Sequence, residues 1–446
     1  MLFLSILVIL CYVEQFADCV GLHGFHFQGW QDSDIQQLNK SEVVTEKWIT
    51  QPLDHFNHRD NRTWPMRYYQ NAGFFKKNGP ILIMLGGEWS ISTGFLRTGL
   101  MYEIASANGG MMYSTEHRYY GKSKPTTNVS APNLQYLNVD QALADVANFI
   151  ATKKSMEEFQ NSPVFVFGGS YAGNVAAWAK LKYPHLIEGA LASSAPVFAK
   201  ADFYGKLYPE IVYSTINYRT LLVLVIEDTK SVKKFAGVVQ YDKIENGRTK
   251  IAAYCDNMTA PYLGSPLQRL ARLVASNDSC LENSYVDFLE TYKNETWDAH
   301  ESSGIMRMWF HQTCTEYGYY QTSNSKDSIF GHRFPLSYFT DLCMDLYGDY
   351  YNNEFMEKRV VRTNIIYGGA KPKLEKVIFT NGDIDPWHPL SVLEDLNETT
   401  PAILIKGSSH CRDLYSDVAT DPEELIKARA FVRSTITQWI KDASQL

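Results

Sequence analysis

Ser170 stands at a turn between an apolar, strand-forming run and a helical pattern. The run is Val164-Phe-Val-Phe-Gly-Gly, and Asn174-Val-Ala-Ala-Trp-Ala-Lys-Leu continues the chain. A serine held at such a strand-turn-helix projects its hydroxyl from the sheet, and small neighbours are needed because strand and helix cross closely there. A plain surface turn is the alternative, since glycine and serine are common in turns. The strand before the serine and the helix after it favour a catalytic nucleophile.

Two later strand patterns end at a candidate acid and a candidate base. Lys376-Val-Ile-Phe-Thr leads into a turn that carries Asp383 and Asp385, and Ala402-Ile-Leu-Ile-Lys leads to His410. Serine, acid and histidine therefore follow separate strands in the chain order of an α/β-hydrolase. We predict that fold class, α/β with a mostly parallel sheet.

The choice of acid and of base depends on local backbone chemistry. Asp385 is favoured because Pro386 restricts its backbone, whereas Asp383 after a glycine is typical of a turn residue. His410 is favoured over His388, which lies in the same loop as Asp385, too close along the chain to reach a serine on another strand. In this interpretation, His410 takes the Ser170 proton.

The negative charge that develops during acyl transfer needs backbone N–H donors. Tyr171, the residue after the nucleophile, is expected to supply one. Gly87, in the loop after the predicted strand at residues 81–85, is expected to supply the other.

Further blocks of sequence occur in order along nearly the whole chain. They are Gln51-Pro-Leu-Asp-His-Phe, Gly86-Gly-Glu, Glu116-His-Arg-Tyr-Tyr-Gly, Gly168-Gly-Ser-Tyr-Ala-Gly, Gln312-Thr-Cys-Thr-Glu-Tyr-Gly-Tyr-Tyr-Gln, Asp385-Pro-Trp, and His410 before Asp413-Leu414. Together they resemble the prolyl carboxypeptidase and dipeptidyl peptidase II family of serine peptidases, nearest its thymus-specific serine protease branch.

The resemblance implies that Ser170, Asp385 and His410 form a triad and that Cys314 pairs with Cys343. It also implies cleavage after proline, with the ring held in a compact pocket that Trp387 helps to line. Three positions depart from the family pattern. They are Ala172 in place of the usual glycine, Lys122 in place of an acid, and Trp89 in place of a glycine. The turn is expected to tolerate the methyl group of the first, and the other two bear on substrate preference more than on activity.

The direction of cleavage depends on which charged peptide end is bound. Glu88 and Glu316 are candidate ligands for an α-amino group, and Arg118 and Lys122 for a carboxylate. Each is also explained by a structural or solvated charge. Carboxypeptidase and dipeptidyl peptidase therefore stay open.

The chain is longer than a hydrolase sheet requires. It has 446 residues, of which 45% are hydrophobic, and Ser170 and Asp385 are 215 positions apart (385 − 170). We predict a core at residues 22–197 and 359–446, with a helical cap inserted at residues 198–358 that restricts substrates to small peptides.

The N-terminal residues 1–21 are typical of a signal peptide, because the apolar run is too short to span a bilayer.

Cys255 with Cys280 is the simplest second disulfide, and Cys411 is interpreted as a small buried hydrophobe. Lysosomal and secreted locations both fit. Seven glycosylation sequons begin at Asn39, Asn61, Asn128, Asn257, Asn277, Asn294 and Asn397.

Composition argues against several classes of function. The net charge of −7, with a pI near 5.9, disfavours nucleic-acid binding. The sequence carries no metal or cofactor motif, so we expect neither, and we expect no membrane span. A homodimer stays open. The acidic pI predicts an activity optimum between about pH 5 and 7.

Two other functions share these features. A lipase or esterase would use the same triad, but it would be expected to show a His-Gly-Gly-Gly oxyanion segment, which Gly86-Gly-Glu is not. A non-catalytic secreted binding protein would be expected to lack a triad residue. A serine exopeptidase acting on small peptides is therefore the favoured prediction.

Overall fold

Short apolar runs form the middle of a mostly parallel sheet. Ile81–Leu85 and Val164–Gly169 are buried along their whole length, as expected for strands covered on both faces. This computed structural model describes residues 44–204, 237–245, 248–274, 284–297, 302–326 and 335–445. The strands are β1 (Thr45–Pro52), β2 (Thr63–Asn71), β3 (Ile81–Leu85), β4 (Met111–Thr115), β5 (Val164–Gly169), β6 (Gly189–Ser193), β7 (Lys200–Asp202), β8 (Ile244–Glu245), β9 (Arg248–Thr249), β10 (Gly318–Tyr320), β11 (Val377–Gly382) and β12 (Ala402–Ile405).

Eight of these strands make one sheet, in the order β1-β2-β4-β3-β5-β6-β11-β12. The pairs β1–β2 and β2–β4 are antiparallel, and the remaining pairs are parallel. Gly169 pairs with Ser193, and Ser193 pairs with Thr380 on the next strand. The ends of β5, β6 and β11 therefore meet at one edge of the sheet.

Helices cover both faces of the sheet. The helices in the described part of the chain are α1 (Leu100–Asn108), α2 (Val139–Lys154), α3 (Tyr171–Lys182), α4 (Lys250–Thr259), α5 (Pro266–Val274), α6 (Tyr285–Lys293), α7 (Ser302–Gln312), α8 (Leu336–Tyr347), α9 (Asn353–Tyr367) and α10 (Glu423–Ala443).

Alternate residues of each central strand enter different layers of the core. Ile83 and Val166 pack in one layer with α2 and α3, whereas Leu82 and Phe167 pack in the other with α1 and α10. A mostly parallel sheet with helices on both faces and a serine turn after β5 is an α/β-hydrolase fold, which confirms the predicted fold class.

The segment between β6 and β11 carries most of the additional helices. It contacts the core through aromatic packing, since Trp178 of α3 stacks on Tyr367 of α9 with ring centroids 4.5 Å apart. The predicted division at residues 358/359 falls inside the continuous helix α9. We propose instead that the inserted cap ends in the turn before Asn353. Among the helices that the structure describes, none is both long and apolar enough to cross a membrane.

Candidate active site

Ser170 occupies a strained turn between β5 and α3. Its backbone has φ 58° and ψ −130°, a conformation that costs free energy for a residue with a side chain. Its amide donates to the carbonyl of Ser193 at 2.9 Å. The residue is half-buried, whereas its neighbours Gly169 and Tyr171 are buried. The turn therefore presents the hydroxyl at the edge of the sheet, as a nucleophile elbow does.

The backbone on both sides of this turn is packed so closely that it requires glycine. A Cβ at Gly168 would lie 2.0 Å from the carbonyl oxygen of Ala172, and one at Gly173 would lie 2.9 Å from the Ala195 methyl group. Strand and helix therefore cross too closely for a side chain at Gly168. Ala172 itself is accommodated in the buried first turn of α3.

Asp385 follows β11 and contacts the candidate base. Its Oδ2 lies 2.7 Å from Nδ1 of His410, and its Oδ1 accepts a hydrogen bond from the Trp387 amide at 2.9 Å. Asp385 has no exposed surface. The carboxylate is thus held from both oxygens and oriented toward the imidazole.

The two rival residues of the same loop make different contacts. Asp383 accepts a hydrogen bond from the Gly407 amide at 2.7 Å. His388 directs Nδ1 at the backbone carbonyl of Asp385, 2.8 Å away, so it does not contact that carboxylate through this nitrogen. Both therefore stabilise the loop, and Asp385 is the acid that meets His410.

His410 is joined to the serine turn through β6. The carbonyl of Ser193 that accepts from the Ser170 amide also lies 3.7 Å from the Cys411 thiol, and Ser194 Oγ accepts from the Cys411 amide at 2.8 Å. The buried Nε2 of His410 makes no hydrogen bond within the described part of the chain. This nitrogen is the one free to take a proton.

Opposing effects act on the pKa of His410. Burial lowers it, but the Asp385 carboxylate and the adjacent Cys411 raise it more, so the pKa lies above its usual value of 6.5. The imidazolium form is therefore stabilised, as a base that receives a proton from serine requires.

Asp413 is a residue of this site that sequence reasoning quoted without giving it a role. It accepts hydrogen bonds from Ser193 Oγ at 2.5 Å and from Thr380 Oγ1 at 2.7 Å. These donors are paired on the neighbouring strands β6 and β11, so the carboxylate fixes the loop of His410 to both strands. Its position three residues after the histidine was the available signal.

The loop after β3 lies against the first turn of α3. A Cβ at Gly87 would come within 3.2 Å of the Ala172 amide nitrogen and 3.6 Å of Tyr171 Cδ1. The expected oxyanion donors, Gly87 and Tyr171, are therefore neighbours in the structure.

Glu116 anchors the loop after β3, which carries the expected oxyanion donor Gly87. Its carboxylate accepts hydrogen bonds from the Ile91 amide at 3.2 Å and from Ser123 Oγ at 2.9 Å. Arg67 donates to both of its oxygens. Glu116 was part of a sequence block without an assigned role, and it is the buried charge that holds residues 86–91 in place.

The expected substrate contacts lie in different surroundings. Glu88 is half-buried and near His410, and burial raises its pKa to about 6 against the lowering effect of its own backbone and of His410. Trp387 is mostly buried and stacks on Phe203 with ring centroids 5.7 Å apart. Glu88 therefore lies near His410, and Trp387 lies next to Asp385.

Glu316 lies instead in the interior. Its Oε1 accepts from the Val139 amide at 2.8 Å, and its Oε2 accepts from Gln312 Nε2 at 3.2 Å. Burial raises its pKa to about 7, although these two donors lower it. A carboxylate already occupied in this way is poorly placed to bind a substrate amine.

The two basic candidates are also occupied. Arg118 is fully buried and bonded through Nε to Asp145 at 2.6 Å. Lys122 is exposed and its Nζ lies 3.3 Å from Glu46.

The cap segment at residues 237–242 contacts the catalytic loops. Gln240 accepts a hydrogen bond from Trp387 Nε1 at 2.9 Å through its side chain, and one from the His410 amide at 3.0 Å through its carbonyl. The Tyr241 ring meets the imidazole of His410 edge-on, with centroids 5.9 Å apart. No sequence pattern marked these two residues.

The described part of the chain contains four of the cysteines and five of the sequon asparagines. Cys314 and Cys343 form the expected disulfide, and Cys411 is a buried free thiol. Cys255 forms no disulfide within the described residues, but Cys280 lies outside them, so that pair stays a prediction. Asn39, Asn277 and the signal segment lie outside as well. Of the remaining sequon asparagines, Asn128 is half-buried, and the exposed ones are Asn61, Asn257, Asn294 and Asn397.

Comparison with known proteins places this chain in a family. A family model described as Serine carboxypeptidase S28 matches residues 51–220 and 229–432. The thymus-specific serine protease of Mus musculus is 31% identical over 458 residues, which cover 90% of this chain and 88% of that protein. The lysosomal Pro-X carboxypeptidase of Homo sapiens is 28% identical over 445 residues, with coverage of 89% and 88%.

Proposed function

This chain belongs to the serine carboxypeptidase S28 family and is a serine-type peptidase. From that premise, we propose that Ser170, Asp385 and His410 are its catalytic triad. In this proposal, the enzyme hydrolyses small peptides near one end, after proline. The observation that supports it most is the buried Asp385–His410 contact beside a strained serine turn.

The proposed reaction follows from the position of each group. Ser170 Oγ attacks the scissile carbonyl while His410 Nε2 takes its proton, and Asp385 stabilises the imidazolium. The amides of Tyr171 and Gly87 bind the oxyanion. His410 then donates the proton to the leaving amine, and water attacks the acyl-enzyme to release the second product and restore the serine.

An aromatic cluster next to the acid supports proline selectivity. Trp387, two residues after Asp385, stacks on Phe203 and meets Tyr319 edge-on with ring centroids 5.8 Å apart. A proline ring is compact and apolar, and it packs well on such faces. We propose that this cluster forms a wall of the proline pocket.

Glu88 is the proposed contact for the polar end of the substrate. Of the four charged side chains considered for this role, it is the one that interacts with His410, whereas Glu316, Arg118 and Lys122 have other partners. The lysosomal relatives, the N-terminal apolar run and the sequons support a secretory route, lysosomal or secreted.

A covalent probe tests the nucleophile. A fluorophosphonate should label wild-type protein, because Ser170 Oγ attacks phosphorus, fluoride leaves, and His410 takes the serine proton. Ser170→Ala should abolish both labelling and peptide hydrolysis. Ser155→Ala is the matched control, since that serine is exposed and its hydroxyl bonds to the carbonyl of Thr152 on the surface. Labelling that persists in Ser170→Ala would move the nucleophile elsewhere.

Peptides blocked at one end test the specificity. Proline-containing peptides with an acetylated amino end or an amidated carboxyl end, analysed by mass, show which free end the enzyme needs. Release of one C-terminal residue from acetylated peptides makes it a carboxypeptidase, and release of an N-terminal dipeptide from amidated peptides makes it a dipeptidyl peptidase. Equal cleavage of peptides with alanine in place of proline would reject the proline pocket.

A further inference from the structure

A buried set of hydrogen bonds surrounds the hydroxyl of Tyr171, the residue that follows the nucleophile. Three side chains from two distant parts of the chain reach this oxygen: His117 Nε2 at 3.0 Å, Gln312 Nε2 at 2.9 Å and the Tyr317 hydroxyl at 3.2 Å. The Tyr171 side chain is only 1% exposed. Because Tyr171 is the first residue of α3, its amide has no acceptor within the helix and is available to an oxyanion.

The direction of each hydrogen bond can be assigned from His117. Its Nδ1 faces the carbonyl of Arg118 at 2.7 Å, and a carbonyl only accepts, so Nδ1 carries the hydrogen. Nε2 of the neutral ring therefore accepts, and the Tyr171 hydroxyl must donate its single hydrogen there. Gln312 and Tyr317 then donate to the Tyr171 oxygen.

Glu316 determines the orientation of the Gln312 amide. Gln312 uses the two hydrogens of Nε2 for Tyr171 and for Glu316 Oε2, and its Oε1 accepts from the Tyr120 hydroxyl at 2.6 Å. The other carboxylate oxygen accepts from the amide of Val139, the first residue of α2. A carboxylate suits both places, because each of its oxygens faces a donor.

These contacts connect the inserted segment to the oxyanion site. Gln312, Glu316 and Tyr317 belong to α7 and the π-helical turn that follows it, whereas Tyr171 begins α3. We propose that Glu316, acting through Gln312, is a positioning residue that holds Tyr171 and thereby aims its amide at the oxyanion. This inference rests on the proposed serine peptidase mechanism, and it replaces a role for Glu316 in substrate binding.

Two isosteric variants interrupt the set at opposite ends. In Glu316→Gln, whichever way the new amide is turned, its NH2 group faces either the Val139 amide or the Gln312 NH2 group. Gln312 is then expected to rotate and withdraw its donor from Tyr171. Tyr171→Phe removes the hydroxyl and keeps the ring. Tyr136→Phe is the control, since its half-buried hydroxyl accepts from Arg62 near the surface.

Steady-state kinetics distinguish positioning from binding. Because misplacing a catalytic group by a small distance costs up to about 100-fold in rate, we expect each variant to lose ~10- to 100-fold in kcat with KM within about threefold. A proline-containing peptide aldehyde forms an adduct with Ser170 that carries an oxyanion. Its affinity for the variants should fall in parallel with kcat/KM. The double variant should be no slower than the slower single variant, since both break one set of contacts.

The opposite outcomes reject the inference. A higher KM with unchanged kcat in Glu316→Gln would return Glu316 to substrate binding, and losses that multiply in the double variant would make the two residues independent. If Glu316→Gln does not fold, unchanged kcat in Tyr171→Phe is sufficient to reject it. The rate of fluorophosphonate labelling needs no peptide substrate. Slower labelling of both variants therefore supports the inference even if peptide hydrolysis is never observed, and labelling at the wild-type rate overturns it.

Discussion

The carboxylate of Asp385 lies 2.7 Å from Nδ1 of His410, and both side chains are buried. A carboxylate accepts hydrogen bonds, so this contact places the imidazole hydrogen on Nδ1 and leaves the lone pair on Nε2. That tautomer is the one that can take a proton from Ser170.

The first prediction separates the two aspartates of this loop. Asp385→Asn should lower kcat by about 10⁴-fold, because an amide NH2 facing Nδ1 favours the wrong tautomer. Asp383→Asn is the matched control, since Asp383 receives the Gly407 amide and does not meet the imidazole, and it should lower kcat by less than about tenfold. Steady-state kinetics on a proline-containing peptide give both values. The reverse ranking would assign the acid to Asp383.

The second prediction concerns the pH dependence of activity. His410 must be neutral to act as base, and its pKa lies above 6.5 because the Asp385 carboxylate and Cys411 outweigh burial. Activity should therefore fall as the pH drops through that raised pKa, and the acidic limb of kcat/KM should have its midpoint above pH 6.5. This direction disagrees with the acidic optimum that the composition suggests.

Two independent profiles check this expectation. The dependence of kcat/KM on pH and the rate of fluorophosphonate labelling should show the same limb, since both require neutral His410 in the free enzyme. A shared midpoint near pH 5 would show that burial exceeds the effect of Asp385.

Local patterns in the sequence mark the candidate triad. Val164–Gly169 and Val377–Gly382 are short apolar runs bounded by turn residues, and the chain order of Ser170, Asp385 and His410 fits one topology. Each choice depended on a few adjacent residues.

The surroundings of the triad depend on contacts between distant segments. Glu316 was a candidate ligand for a substrate amine, with a structural charge as the alternative, and the sequence did not decide because its partner Val139 is 177 positions away. Gln240 and Tyr241 meet His410 without any periodic pattern to indicate it. The predicted end of the cap at residue 358 lies inside the continuous helix α9, so the position of this boundary stays a proposal.

The third prediction concerns the ion pair beneath the oxyanion loop. Arg67 is bonded to the buried Glu116 and, at 3.3 Å, to the more exposed Glu46. Glu116→Ala leaves Arg67 buried without its main partner, which typically costs about 3–5 kcal/mol of unfolding free energy. It also frees the Ile91 amide, so labelling of Ser170 should slow. Thermal or urea unfolding and the fluorophosphonate rate measure the two effects.

Glu46→Ala provides the matched control for the same arginine. Exposed ion pairs contribute less than about 1 kcal/mol, so this variant should keep both its stability and its labelling rate. Equal losses in the two variants would contradict the assignment of Glu116 as the anchor of the loop.

The last prediction concerns His117, whose ring accepts the Tyr171 hydroxyl. The pKa of His117 is lowered from 6.5 to about 4, mainly by burial and to a smaller extent by the charge of Arg118, against the opposing effects of the Arg118 carbonyl and Asp145. Between pH 6.5 and 4, His117 is therefore protonated in the unfolded chain and neutral in the folded chain. Stability from this residue is complete above pH 6.5 and is lost as the pH falls toward 4.

A glutamine at this position tests that loss. His117→Gln keeps a donor and an acceptor but does not titrate, so the wild type should lose stability relative to the variant on acidification. Over the 2 pH units from 6.5 to 4.5, the proton bound only by the unfolded wild type corresponds to about 2–3 kcal/mol of unfolding free energy. Urea unfolding of both proteins at pH 4.5 and 7.5 measures it. Parallel pH dependence in the two proteins would show that the pKa of His117 is not lowered in the folded state, so that its ring takes up a proton at pH 4.5 without loss of stability.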